Sequence, residues 1–337
     1  MQVEVTTSLV DAWECDSIEC NPNLSDIFAC GYYHLEKKES GDERVGKLAI
    51  YEFVNKSEIK LVDSISRFGV LDSCWNKEGN RITTAEANGK ISNYSFENKK
   101  LNFEWEIEKP DTIALAVDQQ HLSNEQQNKI IGSFSNGDIV IAENSQSSSI
   151  YREFNAHPNS EVWTIGFSKF SENLYSSGGD DCRLKFWDLR EEKETGQKRY
   201  EMGVTTMEWS FTNEYQLFVG SYDESVSLWD VRNIRTPLGS VSLGGGVWRI
   251  KQNKNSPTLI LTATMYNQFH LLRFSENDCK FHVELDAFGS PTHTPGSLAY
   301  GAGWFQYPLS PPATQYAALC SFYDKVCSCW SFEHSVN

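Results

Sequence analysis

His157, Ser177 and Asp181 are the residue types of a nucleophilic triad, and Trp187 follows them closely. The last three lie in YSSGGDDCRLKFWDLR (residues 175–190), which is followed by a near-copy, FVGSYDESVSLWDVR (residues 218–232). In each stretch a strand of small residues enters a tight acidic turn, and an alternating strand then stops at Trp-Asp. Asp181 precedes Trp187 by six residues, as Asp223 precedes Trp229. This spacing belongs to a repeat and assigns the four residues to a structural network. The turn carboxylate accepts from the imidazole and from backbone N–H groups; the imidazole is shared with the serine, which also meets the indole N–H. Buried polar groups are tolerated when they are satisfied in this way. Asp223 and Asp324 take the same turn position. Elsewhere there is no GxSxG elbow and no HExxH pair. The glycines 244–246 open a strand without a phosphate-loop lysine, so close backbone approach explains them.

A Trp-Asp ending with a period of about 40–45 residues is the signature of WD40 propeller blades. Units of this kind fall near residues 16–54, 70–98, 113–142, 157–190, 202–232, 244–274 and 297–332, which predicts an all-β, seven-bladed WD40 β-propeller as one domain. Residues 36–47 read as a loop inside the first unit. The proline-rich stretches 291–295 and 308–312 read as surface loops. The β-branched segment 3–10, VEVTTSLV, is left over, and its expected place is the open edge of the last blade.

In such a blade, the residue before the turn aspartate and the second residue of the innermost strand lie on the rim of one mouth. The first set is Phe134, Asp180, Tyr222, Met265 and Tyr323; the second is Trp163, Thr205, Trp248 and Tyr300. Aromatic residues at a mouth serve as packing or protein-contact anchors. With Asp180 among them, they also form a cage for a quaternary ammonium, each ring contributing ~0.5–2 kcal/mol.

The bulk composition narrows the partners. A net charge of −16 argues against nucleic acid, whose phosphates require clustered Lys and Arg. No run approaches the ~20 apolar residues of a membrane span, and the first residues do not read as a signal peptide. Nine cysteines without a CxxC pair or zinc spacing read as reduced core residues, giving a cytoplasmic protein with no metal and no cofactor.

Several stretches lie outside the general repeat: DSIECNP with FACGYYHL, AHPNSEVWTIGF, GGGVWRIK, SLAYGAGW and CSFYDKVCSCW. In this order, and together with the two Trp-Asp units, they resemble the diphthine methyl ester hydrolase family, also called diphthine methyltransferase. The resemblance runs from about Asp16 to Trp330. It implies a seven-bladed propeller that removes a methyl ester from a modified histidine on translation elongation factor 2, after which another enzyme amidates the freed carboxylate. The implied substrate carries a trimethylammonium group, which suits the aromatic mouth of Trp163, Asp180, Tyr222, Trp248, Arg249, Tyr300 and Tyr323. Ester hydrolysis also needs a base and oxyanion donors. Asp180 and Glu224 are the candidate bases; Arg249 and the N–H groups of Gly245 and Gly246 are the candidate donors. One departure is plain: the family resembles GADW where this chain has GAGW, so a carboxylate expected at Gly303 is missing. The expected partner is elongation factor 2, and the expected state is a monomer. The alternative is a non-catalytic WD40 adaptor or substrate receptor.

Overall fold

The computed structural model describes residues 1–337 apart from 40, 121–128, 144–149, 192, 290–296, 308–313 and 334–337. The proline-rich stretches 291–295 and 308–312 therefore lie outside the described residues. Among the described residues, twenty-eight strands, β1 to β28 in chain order, form seven antiparallel four-stranded sheets. Blade 1 is β2 (Glu14–Cys20), β3 (Ile27–Glu36), β4 (Glu43–Val54) and β5 (Glu58–Phe68). The innermost strands of blades 2 to 6 are β6 (Val70–Trp75), β10 (Ala114–Gln119), β14 (Val162–Phe167), β18 (Val204–Trp209) and β22 (Arg249–Gln252). Blade 7 combines β26 (Ala299–Trp304), β27 (Gln315–Ser321) and β28 (Val326–Glu333) with β1 (Gln2–Val10) from the other end of the chain. The fold is a seven-bladed WD40 β-propeller.

The middle strands are buried on both faces, because each blade is covered by its two neighbours. LYSSGG of β15 (Leu174–Gly179) and QLFVGS of β19 (Gln216–Ser221) therefore read as short continuous buried runs. Their glycines permit blade contact. A Cβ at Gly178 would stand 2.4 Å from Val204, the first residue of β18, and one at Gly220 would stand 2.6 Å from Val247, two residues before β22. The outer strands alternate instead, as in β17 (Glu194–Arg199), whose side chains are in turn half-buried and exposed. These outer strands fill the intervals between the sequence units.

Residues 36–47 are not one loop. β3 and β4 continue pairing to Glu36 and Glu43, which shortens the connection to residues 37–42. The ring closes where β1 pairs antiparallel with β28, from Gln2 against Glu333 to Val10 against Val326.

A recurring irregularity positions the side chains of the mouth. In blades 1 to 5 the pairing of the two innermost strands shifts register near the start, between Cys15/Ser17, Val70/Asp72, Ala114/Ala116, Val162/Thr164 and Val204/Thr206. Blade 7 shifts between Ala299 and Ala302. The residue skipped at the shift is the second of the strand in blades 2 to 5 and the third in blade 1, while blade 7 skips Tyr300 and Gly301. A bulge re-aims the side chain that it carries. Asp16, Trp163 and Tyr300 are such residues.

Candidate functional site

Rings from five blades form one continuous arc on the mouth at which the innermost strands begin. Trp163 meets Tyr222 edge-on with centroids 5.2 Å apart, and Tyr222 lies 6.0 Å from Trp248. Trp248 stacks on Tyr300 at 4.9 Å, and Tyr300 continues to Phe322 at 5.0 Å. Phe322 then reaches Tyr323 at 5.1 Å and Tyr33 of blade 1 at 6.2 Å. Glycines give some rings a flat bed. A Cβ on Gly203 would come within 2.3 Å of the Trp163 ring, and one on Gly246 would stand 2.7 Å from Tyr222. Gly245 faces the Thr264 carbonyl in the same manner. Trp163 Nε1 donates to a Glu161 carboxylate oxygen at 2.7 Å. The indole N–H of Trp248 is buried with no hydrogen-bond partner among the described residues.

Trp163, Asp180, Tyr222, Trp248, Tyr300 and Tyr323 thus share this mouth. Asp180 is exposed beside it, and its charge helps, after burial and Tyr266, to push the Tyr222 hydroxyl pKa up. The other rim expectations need correction. Phe134, Thr205 and Met265 are buried, and Thr205 Oγ1 is occupied by the carbonyls of Gly220 and Val247. Glu224 is exposed in a turn with φ of 70°, two residues beyond Tyr222. Arg249 does not turn to the rim with Trp248. Neighbours in an extended chain point to opposite sides, and its guanidinium enters the axial channel, with Nη1 3.2 Å from Asp72 Oδ1.

The channel holds what the sequence reading missed. Asp16 is the bulged residue of blade 1, only 5% exposed. Burial raises its carboxyl to about pH 8; Arg249 opposes the shift and Asp72 adds to it. Asp16 and Arg249 both act electrostatically on the buried Tyr300 hydroxyl, which ties the pair to the aromatic arc. Asp16 is skipped at its blade's register shift, as Trp163 and Tyr300 are at theirs. Phe322 and Tyr33 were overlooked because neither is at the two rim positions considered. Gly303 lies away from the arc, on a cavity at the other end of the channel, where a Cβ would stand 3.1 Å from Cys20 Sγ.

The triad-like residues form the repeat's own network. His157 Nδ1 bonds Asp181 Oδ1 at 2.9 Å, His157 Nε2 bonds Ser177 Oγ at 2.8 Å, and Trp187 Nε1 donates to Ser177 Oγ at 2.8 Å. The histidine is fully buried, with no path to the mouth for its occupied nitrogens. In the next blade Tyr200 and Ser227 receive the Trp229 indole N–H, and Asp223 Oδ1 accepts from the Ser225 amide. Asp324 accepts from Ser321 Oγ.

The comparisons with known proteins agree with this architecture. The family described as "WD domain, G-beta repeat" matches residues 148–188 and 195–230. A chain of the crystal structure of a mitotic checkpoint complex superimposes with a TM-score of 0.71, covering 99% of this chain and 94% of that one at 13% identity, a likeness of fold alone. A diphthine methyltransferase homolog of Dictyostelium discoideum is 32% identical over 94% of this chain and 95% of its own length. The diphthine methyltransferase of Mus musculus is 32% identical over 86% of this chain and 67% of its own, and that of Schizosaccharomyces pombe is 27% identical over 94% of each. With relatives this similar over nearly its whole length, the chain belongs to the diphthine methyltransferase family.

Proposed function

We propose that this propeller acts in diphthamide biosynthesis by hydrolysing the methyl ester of diphthine on elongation factor 2. Water adds to the ester carbonyl, methanol leaves, and a carboxylate remains on the modified histidine. The observation that carries the reading is an unbroken aromatic arc whose ring Tyr300 feels the charges of Asp16 and Arg249, the latter ion-paired with Asp72 in the channel. Ring faces attract a trimethylammonium group, which has no N–H to donate. Asp16 is the group suited to take a proton from the attacking water, and Arg249 is suited to stabilise the oxyanion. In this reading the base is Asp16, and Gly303, which lies on the far cavity, is not asked to supply one. The reading carries with it a monomer acting in the cytoplasm.

Incubating the purified chain with methyl-esterified elongation factor 2 tests the proposal. The expected result is release of methanol and a mass loss equal to one methylene on the protein substrate. A second reading rests on Tyr266 and Tyr323, which are 69% and 59% exposed on the same face: a receptor that holds the modified histidine without cleaving it. Saturable binding with unchanged mass would favour that reading and overturn hydrolysis.

A further inference from the structure

The far end of the channel forms a cavity of about 440 Å³, bounded by the connections that follow the innermost strands. This size is ordinary for a small-molecule site and well suited to one compact organic ligand. Lys77, Lys169, Arg249, Lys251 and Lys254 line it, in a chain whose net charge is −16. The carboxylates beside them are Glu19, Asp72, Asp118 and Glu208.

The hydrogen-bond inventory of these groups is lopsided. Glu19 pairs with Lys251. Asp72 Oδ2 accepts from the Val117 amide at 3.1 Å, and Asp118 Oδ2 accepts from the Phe167 amide at 2.7 Å. Lys169 has no hydrogen-bond acceptor among the described residues, although its side chain is only 19% exposed; Glu208 stands 3.8 Å away. Lys77 and Lys254 add two further ammonium groups at the opening, both exposed. Burial also pushes Glu19 and Asp118 toward their neutral forms. For Lys169, Glu208 and Asp118 outweigh burial and keep the ammonium charged. Among the described residues Lys169 keeps only its long ion pair with Glu208, and with Lys77 and Lys254 five cations face four carboxylates at the cavity.

Apolar faces lie beside the cations. The Lys169 ammonium sits 5.3 Å from the centre of the Phe211 ring, and Phe170 is 45% exposed at the cavity. We infer that this cavity is a second binding site, at the end of the channel opposite the aromatic mouth and sharing Arg249 with it, for a small organic anion: one carboxylate or phosphate on an aromatic body. The anionic group meets Lys169 and the lysines at the opening, and the ring lies against Phe170 and Phe211.

Calorimetric titration of the full chain with phenyl phosphate and benzoate tests this, with benzylammonium as the probe of opposite charge. Both anions are expected to bind saturably with one ligand per chain, and benzylammonium is not. Lys169→Gln is expected to weaken phenyl phosphate by at least about tenfold. Gly303→Asp, which adds a carboxylate to the cavity at the cost of a small shift of Cys20, is expected to weaken it similarly. Trp248→Leu, at the other end of the channel, is expected to leave anion binding unchanged. Melting curves identify a variant that has lost its fold, and the remaining one then decides. Absence of saturation by either anion, equal binding of benzylammonium, or wild-type affinity in a folded Lys169→Gln or Gly303→Asp chain overturns the site. Ester cleavage is read from the mass of the protein substrate, so the two proposals fail separately.

Discussion

Trp248 stacks on Tyr300 across the seam between blades 6 and 7, with ring centroids 4.9 Å apart and planes 29° from parallel. Neither ring belongs to the other's sheet. Their contact depends on the bulged start of β26 and on the angle at which one blade follows the next, and it joins the arc to Tyr300, whose hydroxyl feels the charges of Asp16 and Arg249.

If these rings hold the trimethylammonium group, Trp248→Leu should raise the substrate concentration at half-saturation by roughly two- to thirtyfold, the equivalent of ~0.5–2 kcal/mol. The turnover number should stay near its original value. A substrate analogue without the quaternary methyl groups should lose more affinity for the wild type than for the variant. Steady-state kinetics on both substrates checks this, and equal losses would detach the arc from cation recognition.

Asp16 fixes the pH dependence. As a base it must be deprotonated, so hydrolysis should rise with pH through about 8. Asp16→Asn should remove that rise and lower turnover by about 10²–10⁴-fold. Stability should move the opposite way. The folded-state pKa is raised, so the neutral carboxyl is favoured on folding, and stability falls as pH rises from the ordinary aspartate range through about 8. The asparagine variant should lack this decline, which denaturation at several pH values measures.

His157→Ala should lower the melting temperature while sparing turnover per folded molecule. It leaves Ser177 and Asp181 without their shared partner, a loss of ~1–3 kcal/mol. Burial works against the Asp181 carboxylate, but the hydrogen bond from His157 holds its pKa below the ordinary value. That contribution is present above the ordinary aspartate pKa and disappears as pH falls through the lowered one. Wild type and variant should therefore converge in stability on acidification. A folded, equally stable variant without activity would make the histidine catalytic.

A chain lacking residues 1–11 should lose the ring closure, because β1 is the partner of β28 along its whole length. The exposed edge would offer unpaired backbone groups to other chains. Aggregation in size-exclusion chromatography, together with an earlier melting transition, is the expected outcome; a monomeric chain of unchanged stability would contradict it.

What the sequence determined by itself was local. The Trp-Asp endings, the acidic turns and the glycine-containing strands follow from nearest-neighbour chemistry within one blade, so the blade type and the His157 network were legible in it. The rim aromatics Trp163, Tyr222, Trp248, Tyr300 and Tyr323 were legible too, since equal positions in a repeat share a face. Where those side chains meet was decided only by the ring. Asp16 belongs to the first blade and Tyr300 to the last, and closure through β1 and β28 makes those blades neighbours. Arg249 was misplaced because adjacency to Trp248 was read as proximity, whereas strand parity sends it to the axis to meet Asp72, a residue far away in sequence. Glu19, Asp118, Lys169 and Lys251 look like scattered surface charges in the linear chain. They become one half-buried electrostatic system only when successive innermost strands are wrapped around a common channel.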